Sequence, residues 1–285
     1  MSDMRGKICL ITGSNSGIGK ETAVGLAKMG ATVVMVVRNE ERGEKAKAEI
    51  IQETGNQFID LMLCDMSSMS SIKSFASKFK DRYDRTDVLI NNAGAEFVKR
   101  QVTAECFEQT FAVDYLAPFL LTYELLDLLK ASAPSRIINV SSGLAKNGKI
   151  DFEDLQNKKN YKGMQAYSNA KLMLMMFTYE LSRRLMGSGV TANVLMPGSV
   201  ATNLGKNSGS LRSSIMFKMV RPMQINAKKG AETSVYLASA DEVKDVSGKC
   251  FAKKKEVETC PVSYDQEARK RLWKESIKLL GLKES

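Results

Sequence analysis

Tyr167 and Lys171 are spaced so that, on a helix, they lie one turn apart on the same face. A phenol of ordinary pKa, about 10, is a poor base near neutrality, but a neighbouring ammonium favours its phenolate. Lowering that pKa by about 3 units takes roughly 4 kcal/mol of differential stabilisation, which only close and partly desolvated positive charge supplies. The pair therefore suits passing a proton to or from an oxygen, although the spacing alone also describes an ordinary surface pair. Elimination narrows the chemistry further. The chain has no histidine, which excludes Ser-His-Asp and Cys-His units, His-ligated zinc and HExxH metallohydrolases. Acid–base work falls to Tyr, Lys, Asp, Glu or Cys.

A second constellation lies near the N-terminus. Thr12-Gly13-Ser14-Asn15-Ser16-Gly17-Ile18-Gly19 follows an apolar strand and opens a helical stretch. Glycines there let the backbone turn tightly and let a pyrophosphate approach the helix N-terminus, whose free N–H groups and dipole favour anions. A plain tight turn is the simpler reading, but the strand–turn–helix context is the one the mechanism requires. At the end of the second strand, where an acidic residue would hold the ribose of NAD, the chain has Arg38 followed by Asn39. A guanidinium attracts a 2′-phosphate, so Arg38 points to NADP(H), the alternative being a solvated arginine at a loop start.

The elements that must position these residues alternate. Ile8–Thr12, Thr32–Val37, Phe58–Cys64, Val88–Asn91, Arg136–Ser141, Val190–Met196 and Lys249–Ala252 read as strands too apolar to be half exposed. Gly17–Met29, Glu40–Thr54, Met69–Tyr83, Phe107–Lys130, Met164–Met186 and Ala227–Ala238 read as helices. This repetition predicts an α/β fold, one doubly wound Rossmann domain over residues 1–285 with about seven parallel strands and helices on both faces. The only Gly/Ser-rich stretch, Gly205–Ser214, lies late and is followed by apolar Ile215, Met216, Phe217, Met219 and Val220. Residues 203–226 thus read as a lid over an apolar substrate. The run Leu172–Phe177 (LMLMMF) reads as core or subunit packing, since Met fills gaps generally. Gln266–Leu280 reads as a helix docked on the body, a partner or a membrane surface being the alternatives.

Composition bounds the partners. Lys plus Arg exceeds Asp plus Glu by 42 to 32, a net charge of +10. The basic residues are scattered, with small clusters at Lys158-Lys159-Lys162 and Lys253-Lys254-Lys255 and no aromatic-interleaved stripe, so no nucleic-acid partner is expected. Five widely spaced cysteines without a CxxC suit a reducing, cytoplasmic setting and no metal cluster. No apolar run approaches the roughly 18 residues of a membrane span, and the N-terminus lacks a signal-peptide pattern.

Taken together, Thr12-Gly13-x-x-x-Gly17-Ile18-Gly19, Asn91-Asn92-Ala93-Gly94, Asn139-Val140-Ser141-Ser142, Tyr167-x-x-x-Lys171 and Pro197-Gly198-x-Val200-x-Thr202 occur in the order seen in short-chain dehydrogenases/reductases. The whole chain resembles that family. Arg136–Phe152 and Leu272–Leu282 are similar to its retinol dehydrogenase-like branch, which also resembles protochlorophyllide reductases. The resemblance implies hydride transfer between nicotinamide and a carbonyl or carbinol carbon of a small, fairly apolar substrate. It implies that Ser142 holds the substrate oxygen, Tyr167 passes the proton, and Lys171 lowers the tyrosine pKa and binds the nicotinamide ribose. It further implies that Asp65, with Met66, lies at the adenine, that Asn91, Ala93 and Gly94 line the cofactor, and that Pro197, Gly198, Val200 and Thr202 wrap its nicotinamide end. Helices Phe107–Lys130 and Met164–Met186 often meet a second subunit in such proteins, so a homodimer is an expectation.

Two features depart from the simplest pattern. Between Ser142 and Tyr167 stand 24 residues, so residues 143–163 must form a loop over the site, a length that also marks the retinol dehydrogenase-like branch. Asp114 stands where the family usually has Asn as the fourth member of its catalytic set. Pro118 has no N–H for the carbonyl of Asp114, so a kink should free that oxygen, and the resemblance implies that it then holds a proton-relaying water. The preferred reading is that this carbonyl works and the side chain matters less; the alternatives are a carboxylate paired with Lys171 or a helix-face acid. Two other functions compete with the oxidoreductase: an NADP(H)-binding redox sensor without turnover, and a basic surface binder of nucleic acid or anionic lipid.

Overall fold

The computed structural model describes residues 3–198 and 226–283. Val200, Thr202 and the lid expected at 203–226, apart from Asn226, lie outside the described residues. The strands β1 Ile8–Thr12, β2 Thr32–Val37, β3 Ile59–Leu63, β4 Val88–Asn91, β5 Ser135–Val140, β6 Val190–Leu195 and β7 Cys250–Ala252 are joined in parallel. The order β3-β2-β1-β4-β5-β6-β7-β8 reverses between β1 and β4, the switch point where doubly wound sheets bind ligands. The seven expected parallel strands are thus present, and an eighth is added. β8, Lys255–Glu256, pairs antiparallel to β7 through a turn at Lys253 and Lys254, both with positive φ (52° and 63°). A two-residue strand leaves no periodicity to read, and what looked like a basic cluster is this hairpin turn. Lys158 and Lys159 likewise belong to a turn, donating their backbone N–H groups to Asp154 at 2.7 and 3.0 Å.

Helices α1 Gly17–Lys28, α2 Glu40–Thr54 and α7 Ala227–Ser239 cover one face of the sheet, and α3 Met69–Arg82, α5 Ala117–Ala131, α6 Gly163–Arg184 and α8 Gln266–Leu280 lie with the core of the other. The continuous helix expected from Phe107 to Lys130 is broken into three parts. A short α4, Gln109–Phe111, runs into a π-helical turn over Ala112–Leu116 and only then into α5. Ala117 donates its N–H five residues back to the Ala112 carbonyl; beside it Pro118 has no N–H to give, so the register loosens at that place.

α6 is buried on every side from Ala166 to Leu181, so the Met-rich run is core. α8 supplies much of the cover through Leu272, Trp273, Ile277 and Leu280. Trp273 sits with its ring centroid 4.9 Å from Phe119 and 5.8 Å from Phe177, Arg184 lies over it at 4.3 Å, and Ser276 meets the Tyr115 hydroxyl at 2.6 Å. The docked-helix reading of α8 is the one observed.

Candidate active site

The C-terminal ends of β1, β4 and β5 meet in one cleft of about 1090 Å³. Thr12, closing β1, accepts the N–H groups of Asn92 and Ala93 on its hydroxyl at 3.0 and 2.9 Å, while Asn92 returns its side-chain amide to the Thr12 carbonyl at 2.8 Å. This staple brings the glycine turn against the end of β4. A side-chain carbon on Gly19 would stand 2.4 Å from the Asn92 amide nitrogen and 2.5 Å from the Gly13 oxygen, and Gly13 itself has φ +66°. Only glycine fits either position. Ser16 begins α1 without a side-chain cap, leaving the N–H groups of the first turn to an anion. The residues present therefore fit a dinucleotide pyrophosphate, with Asn15, Ser16, Gly17 and Ile18 lining the cleft. Ser14 lies fully buried behind it.

Arg38 lines the same cleft together with Asp65 and Met66, which the resemblance puts at the adenine. The Asp65 carboxylate is engaged in its own turn, accepting from the Ser67 N–H and hydroxyl at 2.9 and 2.7 Å. Arg42 and Lys45 on α2 join Arg38 on the same wall. Sequence reasoning missed them, though their positions four and seven residues after Arg38 carried the signal.

The catalytic end is dry. Lys171 is 3% exposed and Asp114 0%. The Lys171 ammonium donates to the Asp114 carboxylate at 2.9 Å and to the Val140 carbonyl at 3.1 Å, and Ala95 donates its N–H to both Asp114 oxygens at 3.3 Å. Ser141 fixes the backbone of α6 by donating to the Lys171 carbonyl at 2.9 Å. Gly94 has to be glycine here, since a side-chain carbon would stand 2.6 Å from the Asp114 carboxylate. Of the readings of Asp114, the carboxylate paired with Lys171 is the one observed at its side chain. No local pattern reveals this, because β4, the π-helical turn and α6 converge only in the tertiary fold.

Tyr167 is 7% exposed, with the Lys171 ammonium 5.7 Å from its ring centroid. Its phenol is held above the ordinary value: burial raises it, Lys171 pulls it down, Asp114 pushes it up again and the Ser142 hydroxyl pulls it down. The lowered pKa read from the sequence is therefore reversed, because burial outweighs the ammonium's field, which Asp114 further opposes. Burial opposes the Lys171 charge, yet Asp114 keeps the ammonium above its usual pKa. Ser142, two residues past β5, accepts the Leu144 N–H at 3.2 Å and lines the cleft with Tyr167, Ala93, Gly94, Pro197 and Gly198. Asn91 lies elsewhere. It is buried beneath the cleft and donates to Asn139 at 2.8 Å and Thr122 at 3.1 Å, supporting the strand ends and not facing a ligand.

Residues 7–212 match the short chain dehydrogenase family. The chain belongs to that family. It is 43% identical to retinol dehydrogenase 13 of Homo sapiens over 282 residues, covering 97% of this chain and 85% of the relative. To retinol dehydrogenase 14 of Mus musculus it is 41% identical, covering 98% of this chain and 87% of the relative. Among solved structures, an uncharacterized protein from Mycobacterium Paratuberculosis superposes with a TM-score of 0.81 at 30% identity, covering 99% and 96% of the two chains. The Pseudomonas aeruginosa RhlG/NADP active-site complex has the same fold, with a TM-score of 0.70 at 22% identity over 87% and 95%. As a short chain dehydrogenase the protein is an oxidoreductase acting on a CH–OH/C=O pair with a nicotinamide cofactor. No helix among the described residues is long and apolar enough to cross a membrane.

Proposed function

We propose that this short chain dehydrogenase interconverts a carbonyl and an alcohol on a fairly apolar substrate with NADP(H), in the manner the names of its retinol dehydrogenase relatives suggest. The observation that carries the reading is the convergence of Ser142, Tyr167 and Lys171 at one end of the cleft whose other end holds Arg38. Bound there, the nicotinamide would supply or accept the hydride. The Ser142 and Tyr167 hydroxyls would hold the substrate oxygen, and preorganised donors of this kind stabilise a developing alkoxide. Tyr167, kept protonated by burial and by Asp114, is suited to giving its proton to that oxygen on reduction. Lys171 would hold the phenolate left behind, its ammonium secured by Asp114 and the Val140 carbonyl. Gly13, Gly17 and Gly19 would cradle the pyrophosphate, and Arg38, Arg42 and Lys45 would meet a 2′-phosphate. Leu144 and Met164, 36% and 45% exposed, give that substrate an apolar surface. All five cysteines are free, in keeping with a reducing, cytoplasmic setting. NADPH consumption with retinaldehyde, repeated with NADH, tests the reading; NADPH-selective reduction supports it, and equal use of the two cofactors removes the role given to Arg38.

A further inference from the structure

Glu96 lies on the substrate side of the cleft, in the loop that follows β4, and plays no part in the proton chemistry above. The loop is clamped on both sides of it. Ala95 is tied to the Asp114 carboxylate at 3.3 Å, and the carbonyl of Phe97 accepts the Tyr161 hydroxyl at 2.8 Å. Gly163 packs so closely on this backbone that a side-chain carbon would stand 2.4 Å from the Phe97 oxygen. The Glu96 side chain therefore cannot leave the cleft by a drift of its own backbone. It is half-buried, and among the described residues it has no hydrogen-bond or ion-pair partner. Burial, and after it the Asp114 charge, hold its carboxyl above the usual value, and its own charge is felt at Tyr167. A carboxyl group drawn from water without a partner leaves a hydrogen-bonding demand that a bound donor meets.

Other residues lining the cleft narrow what that donor is. Phe97, Val113, Leu144 and Met164 are apolar, whereas the Gln109 side chain, which also has no hydrogen bond among the described residues, offers an amide. A carboxyl and an amide lining one cleft suit a group that both donates and accepts, which a hydroxyl does and an ammonium does not. Resting on the carbonyl/alcohol reading of the site, we propose that Glu96 is a specificity-determining residue selecting substrates with a hydroxyl group beside the reacting carbon. Glu96 accepts that hydroxyl's hydrogen, Gln109 donates to its oxygen, and the apolar wall takes the rest of the chain.

The test compares nonanal, α-hydroxynonanal and ω-hydroxynonanal with NADPH, on wild type, Glu96→Gln and Glu96→Met, reading kcat/KM for each. Wild type should favour α-hydroxynonanal over nonanal by about tenfold or more, the scale of one hydrogen bond to a charged group. It should treat the ω isomer like nonanal. Glu96→Met should abolish the preference, while Glu96→Gln, which keeps an accepting oxygen, should retain part of it. Equal kcat/KM for the three aldehydes in wild type, preference for the ω isomer, or a preference that survives Glu96→Met each overturns the proposal. Failure of the carbonyl reading looks different: none of the three aldehydes consumes NADPH. The comparison is then read as thermal stabilisation of NADP-loaded protein by nonanol and by its α- and ω-diols, where stronger stabilisation by the α-diol that Glu96→Met removes supports the assignment. Equal stabilisation by all three overturns it.

Discussion

The two ends of the cleft carry positive charge in opposite ways. Lys171 is buried, held by a carboxylate at 2.9 Å and a carbonyl at 3.1 Å, and surrounded by groups whose positions three different elements fix. Arg38, Arg42 and Lys45 stand exposed on a strand end and a helix face, with no such enclosure. The difference separates two uses of a cation. A dry, paired charge sets the protonation of its neighbour and cannot be removed without stranding its partner, whereas a wet charge attracts an incoming anion and is individually replaceable.

The largest break of this contrast is Lys171→Met. It strands the Asp114 carboxylate in the core, so denaturant unfolding should show a loss of about 3 kcal/mol or more together with loss of turnover. Adding Asp114→Leu should recover much of the stability and none of the activity. Arg38→Ala, by contrast, should leave the unfolding midpoint where it is.

Cofactor choice should respond next. Arg38→Asp replaces attraction for a 2′-phosphate with repulsion, and the NADPH-over-NADH ratio of kcat/KM should fall by about a hundredfold, two charge-assisted hydrogen bonds being at stake. Arg42→Ala and Lys45→Ala should each weaken NADPH by less, with an effect that fades at high salt. An Arg38→Asp enzyme that keeps its preference would show that the rim charges do not read the 2′ position.

A subtler change sharpens the contrast at the dry end. Asp114 raises both Tyr167 and Lys171, so removing its charge with Asp114→Asn should lower both. The basic limb of the pH–rate profile should therefore move to lower pH, while turnover at the optimum changes little. A profile that stays in place would contradict the electrostatic role given to the carboxylate. Pro118→Ala should have the smallest effect, since Asp114 reaches Lys171 by its side chain whether or not the π-helical turn persists.

Much of this was legible in the sequence because it is local. The alternation of β-branched runs and helical periods places β1, β2 and β4 to the residue, α2 and α8 likewise, and the glycine turn sits where its chemistry demands. Tyr167, Lys171, Ser142 and Arg38 stand out by residue type and spacing. What escaped depends on elements meeting from a distance. The Asp114–Lys171 pair, only an alternative in the sequence, is decided by the packing of residues 112–116 on α6, and the upward shift of Tyr167 by its burial there. The closure of α6 by α8 needs Trp273 seated against Phe119 and Phe177. Asn91 carries the family motif and yet turns its amide into the support beneath the cleft. Glu96, one residue among many acids in the chain, gains its meaning only from the wall it shares.

Tyr167 is the proton donor on which the proposed reduction depends. Tyr167→Phe keeps the ring over Lys171 and removes only the hydroxyl, so the decisive measurement is its turnover of retinaldehyde beside its NADPH dissociation constant. Turnover should fall by at least about 100-fold, the scale of general acid–base catalysis, with cofactor binding nearly intact. A variant that binds NADPH normally and keeps most of its turnover would contradict the assignment.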